Sequence, residues 1–207
     1  MVIAPVWLYA QQPVEKRLYL FDEFADGRVL FKNGSSTPAK LNYDAANREM
    51  TYYQAGELMV LGGTQQIDTV FIAGRKFIPA GRVFLEIQPL THGELFINWK
   101  LKPVYKGKAG VYGMVTQSAS VRHINTNYLN HTSFERQTAD IYSAASQNEY
   151  WIKLSDKPVK FKDRKSLLRL FPADKRPSIE AFMEEHSIDM KKTIDVMETV
   201  DYCLSLE

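Results

Sequence analysis

Between residue 26 and about residue 103 the chain is cut into short segments by closely spaced turn signals. GRVLFK is followed by NGSS, AKLNYD by AANR, EMTYYQ by AG, IDTVFI by AG and VFLEIQPL by THG; ELMVLGG, RKFIPA and ELFINWKL complete the series. Within segments apolar and polar residues tend to alternate, the period of a strand with two unlike faces, and the interruptions leave no room for a helix. Strands that follow one another through such short turns pair antiparallel. The chain is thereby confined to a β meander, expected to curl toward a barrel or sandwich.

One hairpin can be read to the residue. In ELFINWKL, Leu95, Ile97, Trp99 and Leu101 share one face; in VFLEIQPL, Val83, Leu85 and Ile87 share one, with Phe84, Glu86 and Gln88 opposite. A two-residue turn at Thr91-His92 sets Ile87 against Phe96 and mixes these faces. A three-residue loop, Thr91-His92-Gly93, sets Ile87 against Ile97 and Leu85 against Trp99, with glycine at the left-handed position. The pattern favours the longer loop.

Beyond residue 103 the character changes. Gly107, Gly110 and Gly113 punctuate a connection, and residues 114–149 are rich in Ser, Thr, Asn and Gln. A stretch this long without strong periodicity is expected to be poorly ordered, with room for one strand at 113–118. YWIKL-SDK-PVKFK then reads as a hairpin. From Asp163 the period turns helical: Asp163 can cap a helix carrying Leu167, Leu168 and Phe171 that stops at Pro172. Asp174 can cap a second, with Pro177 in its first turn and Ile179, Phe182 and Met183 on one face. Asp189 can cap a third, with Ile194, Met197 and Val200 inward. Helices this short need a surface to dock on. The expectation is an α+β fold: a leader remnant at 1–10, an antiparallel β domain at 11–113, a polar connection at 114–149, and a hairpin with about three short helices at 150–207.

A chain of 207 residues, 45% hydrophobic, suits one generous domain or a domain with an appendage. The net charge of +2 arises from well-mixed signs, so the basic stripe of a nucleic-acid binder is lacking. Cys203 is the only cysteine, which excludes an intrachain disulfide and a CxxC motif. No stretch approaches the roughly 18 apolar residues of a membrane span.

Residues 2–10, VIAPVWLYA, form an apolar run ahead of the polar Gln11-Gln12-Pro13. Apolar length and a small Ala10 fit the end of a secretory signal cut between Ala10 and Gln11, although the basic start is missing. The alternative is an edge strand, where Pro5 is tolerated. Export is the preferred reading, giving a periplasmic or extracellular protein.

The segments GRVLFKNG, LNYD, IDTVFIAGRKFIP and YWIKLSDKPVKFKDRKSLLRLFPADKR together resemble a group of exported proteins common in Bacteroidota, across about residues 26–101 and 150–202. The resemblance implies export and a β-sheet followed by a helical tail. It carries no catalytic residue, because the group has no established activity.

Reactive residues are scattered. His92, His123, His131 and His186 lack the spacing of a metal motif, and the three glycines match neither dinucleotide nor phosphate loops. Cys203, between Val200 and Leu204, reads as a small core residue. No metal or cofactor is therefore expected. Glu86 and Glu94 fall on one face in the register chosen above, but about 13 Å apart. Retaining hydrolysis needs roughly 5–5.5 Å and inverting roughly 6.5–9.5 Å. Trp99 reads as core. Tyr53 and Phe96 are outward candidates for a ligand platform, unless a helix covers that face. The reading that follows is an exported, non-catalytic module binding a protein or glycan of the cell envelope. The alternative is a small secreted carbohydrate-active hydrolase with carboxylates from separate strands.

Overall fold

The alternating segments pair into antiparallel strands, as their period requires. The computed structural model describes residues 17–109, 115–116, 140–155 and 157–207. Its strands are β1 (Ala25–Phe31), β2 (Ser36–Asp44), β3 (Glu49–Gln54), β4 (Glu57–Val60), β5 (Ile67–Ile72), β6 (Arg75–Ala80), β7 (Val83–Pro89), β8 (Glu94–Asn98), β9 (Leu101–Ala109), β10 (Val115–Thr116), β11 (Asp140–Ser146), β12 (Glu149–Leu154) and β13 (Lys157–Phe161). Ten of them form one sheet in the order β13-β12-β8-β7-β6-β5-β1-β2-β3-β4, and β10-β9-β11 form a second. The large sheet is open, with β13 and β4 as its edges. It nevertheless curls: the Leu101 amide, at the start of β9, donates to the Ala45 carbonyl just beyond β2 at 3.0 Å.

Two tight turns show why the meander holds. Ala55-Gly56 and Ala73-Gly74 each link strands through two residues with positive φ, at 51° and 85° and at 47° and 78°. That is the primed turn whose twist matches the strands it joins. Gly27 answers a different need. A Cβ there would press on the Phe71 carbonyl oxygen and lie 2.9 Å from Leu41 Cδ1, so only glycine lets β1 sit between its neighbours.

Cross-strand pairing carries one inner row through Phe161, Tyr150, Ile97, Glu86, Phe77, Val70 and Val29. The core on this side has two parts. Leu41, Tyr43, Met50, Ile67, Phe77 and Phe84 fill the curl of the sheet. Leu95, Ile97, Tyr150, Ile152 and Phe161 pack instead against three helices, α1 (Arg164–Leu168), α2 (Arg176–Glu185) and α3 (Thr193–Ser205). Trp99 touches both parts. The inward position expected for it is the one it occupies.

The hairpin register differs from expectation. Ile87 pairs with Phe96 and Glu86 with Ile97, and the Leu90 amide donates to the Gly93 carbonyl at 2.9 Å, leaving Thr91-His92 as a two-residue turn. Phe84 and Glu86 therefore point inward while Leu85 and Ile87 point out. Two features outside the local pattern account for this. Glu86 has internal partners that make its burial tolerable, and the turn is gripped by α3: the His92 amide and Nδ1 reach Asp201 Oδ1 at 2.8 and 3.0 Å.

Helix starts were partly legible. Asp163 caps α1, accepting from the Ser166 amide at 2.8 Å, while the Asp163 amide donates to Ser166 Oγ at 3.0 Å. Asp174 does not cap α2; Lys175 stands at the cap without a side-chain capping bond, and Pro177 lies in the first turn. Asp189 does not cap α3 either, because its side chain closes a turn onto the Lys191 amide and the helix begins later, at Thr193. The buried face of α3 is Val196, Thr199, Val200 and Cys203; of the residues expected inward, Val200 is buried, Met197 is half-buried against the core, and Ile194 is 68% exposed. Of the polar connection, Val115–Thr116 and Asp140–Ser146 are strands paired with β9, and 117–139 lies outside the described residues. The leader at 1–10, with the proposed cut at Ala10 and Gln11, also lies outside them.

Candidate functional site

Because the helices occupy the inner face, the alternate residues of the same strands are left on the outer face. One outer row runs Lys76, Ile87, Phe96, Trp151, Lys160 across β6, β7, β8, β12 and β13. A neighbouring row adds Ile78 opposite Leu85. With Glu94, Lys153 and Pro158 at one end, these side chains other than Lys160 shape a groove of about 500 Å³. Phe96 forms its floor and is only 6% exposed.

The charges at the groove are mostly satisfied. Lys153 lies 3.8 Å from Glu94 and 5.5 Å from the centre of the Phe96 ring. Lys160 lies 2.8 Å from Glu149 and 5.1 Å from the centre of the Trp151 ring. The Lys160 hydrogen bond, opposed by partial burial and helped by Asn98, holds the Glu149 carboxyl below its ordinary value. Asn98 donates to Glu149 at 3.2 Å, and its own buried Oδ1 has no partner among the described residues. Lys76 is exposed and, among the described residues, forms no ion pair.

The two aromatic candidates are not brought together. Tyr53 is 54% exposed on β3, its ring 4.7 Å from Phe24, and six steps along the strand order from Phe96 on β8. Phe96 is outward, as expected, and none of the three described helices covers it. Its neighbours Trp151, Ile87 and Lys76 were not singled out from sequence. The usable signal was the alternation of YWIKL, which places Trp151 opposite Ile152, but it gains meaning only once Leu85 and Ile87 are known to face the same way.

The remaining candidates separate. Glu86 and Glu94 lie on opposite faces of the hairpin, which corrects their expected placement on one face. Glu86 is 2% exposed and fully engaged: Arg75 donates from Nε at 2.6 Å and from Nη2 to the second oxygen, and Trp99 Nε1 donates as well. Arg75 is itself sandwiched near the rings of Phe21, Phe77 and Trp99, at 5.0, 5.7 and 5.3 Å. His92 serves the turn, and the His186 ring stacks on Phe182 at 4.1 Å. His123, His131, Gly110 and Gly113 lie outside the described residues, and Gly107 sits within β9. Cys203 is fully buried in the helix-side core, as expected.

Among the described residues no three His, Cys, Asp or Glu side chains converge on a metal position, and no helix is long and apolar enough to cross a membrane. No family model, curated protein or solved structure matches this chain.

Proposed function

We propose that the chain is an exported, non-catalytic binding protein of the cell envelope, periplasmic or extracellular, and that the outer-face groove holds its ligand. The observation that carries this reading is the groove lined by Trp151, Ile87, Leu85 and Ile78 over the Phe96 floor, on the face away from the helices, which no other described residue fills. Apolar surface gathered into a concavity and rimmed by charge is the usual form of a contact site. Of the two carboxylates weighed as a hydrolytic pair, Glu94 is paired with Lys153 at the groove, and Glu86 lies on the opposite face, bound by Arg75 and Trp99. A hydrolytic pair needs two carboxyl groups free to face one bond, so binding suits these residues better than hydrolysis.

Export rests on the leader and on the resemblance carried by the strand and helix segments. N-terminal sequencing of the protein recovered from periplasm or medium is expected to begin at Gln11. Recovery in the cytoplasm alone, with Met1 or Val2 retained, would remove the address. For the groove, Trp151→Ala is expected to reduce retention on envelope fractions while Tyr53→Ala leaves it unchanged. Equal retention by both folded variants would show that binding occurs elsewhere.

A further inference from the structure

The groove differs along its length. At the β6 end stands Lys76, followed in one cross-strand row by Ile87, Phe96 and Trp151. Beyond Trp151, Lys160 is already joined to Glu149, and Lys153 on the flank is joined to Glu94. Among the described residues the free charge is thus at one end, and the middle is aliphatic and aromatic. Continuing past Lys76, the same row reaches Phe71 and Arg28, whose guanidinium lies 5.0 Å from the centre of the Phe71 ring. A second exposed cation therefore backs the first.

This chemistry discriminates among envelope ligands. A neutral glycan needs fixed neutral donors and acceptors around an aromatic platform. The groove's polar lining consists of Lys76, Lys153 and Glu94, two of them paired to each other, and most of the rest is hydrocarbon. From β6 to β13 the lining crosses four strand spacings, about 19 Å. One leaflet of a bilayer's hydrocarbon core is about 15 Å deep, which is the span of an acyl chain. The volume of about 500 Å³ lies within the range of small-ligand sites.

We infer that the groove takes an anionic acyl amphiphile, with the acidic head at Lys76 and the chain laid over Ile87, Phe96 and Trp151 toward Pro158. This rests on the groove being the binding site proposed above, and it narrows the envelope ligand to a lipid-derived one. Each buried methylene adds to affinity, and a charge-assisted bond to Lys76 selects the head.

The test is equilibrium binding of dodecanoate below its micelle concentration to the full chain, read by tryptophan emission and by calorimetry. Dodecyl maltoside, dodecyltrimethylammonium and an oligogalacturonate serve as comparisons. Dodecanoate is expected to bind tightest. Lys76→Glu should weaken it at least about tenfold while leaving dodecyl maltoside unchanged. Trp151→Ala should weaken both, and Lys76→Ala provides a variant of an exposed residue whose folding is not in question. Equal binding of the three dodecyl compounds, or indifference to Lys76→Glu, would overturn the anionic head while leaving the groove as a binding site. Preference for oligogalacturonate would overturn the acyl ligand in favour of an acidic glycan. If none binds, yet Trp151→Ala still lowers envelope retention, the ligand class is wrong and the groove survives. If retention is also unchanged, both fall.

Discussion

Arg75 and Glu86 meet inside the sheet, on the face the helices and the curl enclose: Nε donates to one carboxylate oxygen at 2.6 Å and Nη2 to the other. The forked geometry matters because Glu86 stands in the inner row between Ile97 and Phe77, where an unpaired carboxylate would be costly. With the indole N–H of Trp99 as a third donor, the carboxylate is satisfied without water. The pair stands on the buried face of β7 with Phe84, which leaves Leu85 and Ile87 to line the groove.

Removing one member should therefore cost more than removing both. Arg75→Met leaves Glu86 with the indole alone and is expected to lower stability by roughly 3 kcal/mol, the scale for breaking a buried pair. Adding Glu86→Leu should restore a large part of that loss, because two apolar side chains of similar bulk leave no buried charge. Urea denaturation of the two variants checks this through their midpoints. A loss below about 1 kcal/mol for Arg75→Met would show that water reaches Glu86 and that the register is secured by other contacts.

The same residue shows where sequence reasoning stops. Alternation located the strands, and the alanine-glycine turns fixed two of their junctions, because those are local properties of a few residues. The faces of β7 were assigned the wrong way round, since a rule that sends carboxylates outward has no knowledge of Arg75 eleven residues earlier or of Trp99 thirteen residues later. The turn at Thr91-His92 was missed for a similar reason. Its local residues do not ask for a two-residue turn, and Asp201 of α3, far along the chain, supplies the bonds that hold it. Asp163 was recognised as a cap because its partner, Ser166, is three residues away. Phe96 was placed outward, but the groove around it depends on strands β12 and β13, which reach β8 only after the long excursion through β9 to β11. Local chemistry was legible; juxtaposition across the chain was not.

Glu149 gives a prediction about acid. Its carboxyl is held below the ordinary value, chiefly by the hydrogen bond from Lys160. A group depressed in the folded state contributes stability above its unfolded value, and that contribution is lost as pH falls through the folded value. Glu149→Gln should thus cost a little at neutral pH, about 0.5 kcal/mol given the pair's partial exposure, and nothing in strong acid. The acid limb of stability against pH should be correspondingly flatter in the variant. Denaturation midpoints at neutral pH and below the carboxylate range measure it; a difference that persists unchanged into acid would assign the effect to packing beside Trp151 and not to charge.

Cys203 reports on whether the helices stay docked. Its side chain is fully buried among Leu95, Ile97, Val196 and Val200, and burial pushes the thiol up to about 12. Alkylation requires the thiolate and access to it, so both conditions fail while α3 covers the sheet. At mildly alkaline pH the native protein should react with iodoacetamide at least about a thousandfold more slowly than the chain in urea, as expected when modification waits for an opening near the global unfolding free energy. The dependence of that rate on low urea should then match the slope of the equilibrium transition. Fast labelling without urea would mean that α3 lifts from β8 and β12 by local opening, which would also free the Thr91-His92 turn from Asp201 and loosen the hairpin beneath the groove.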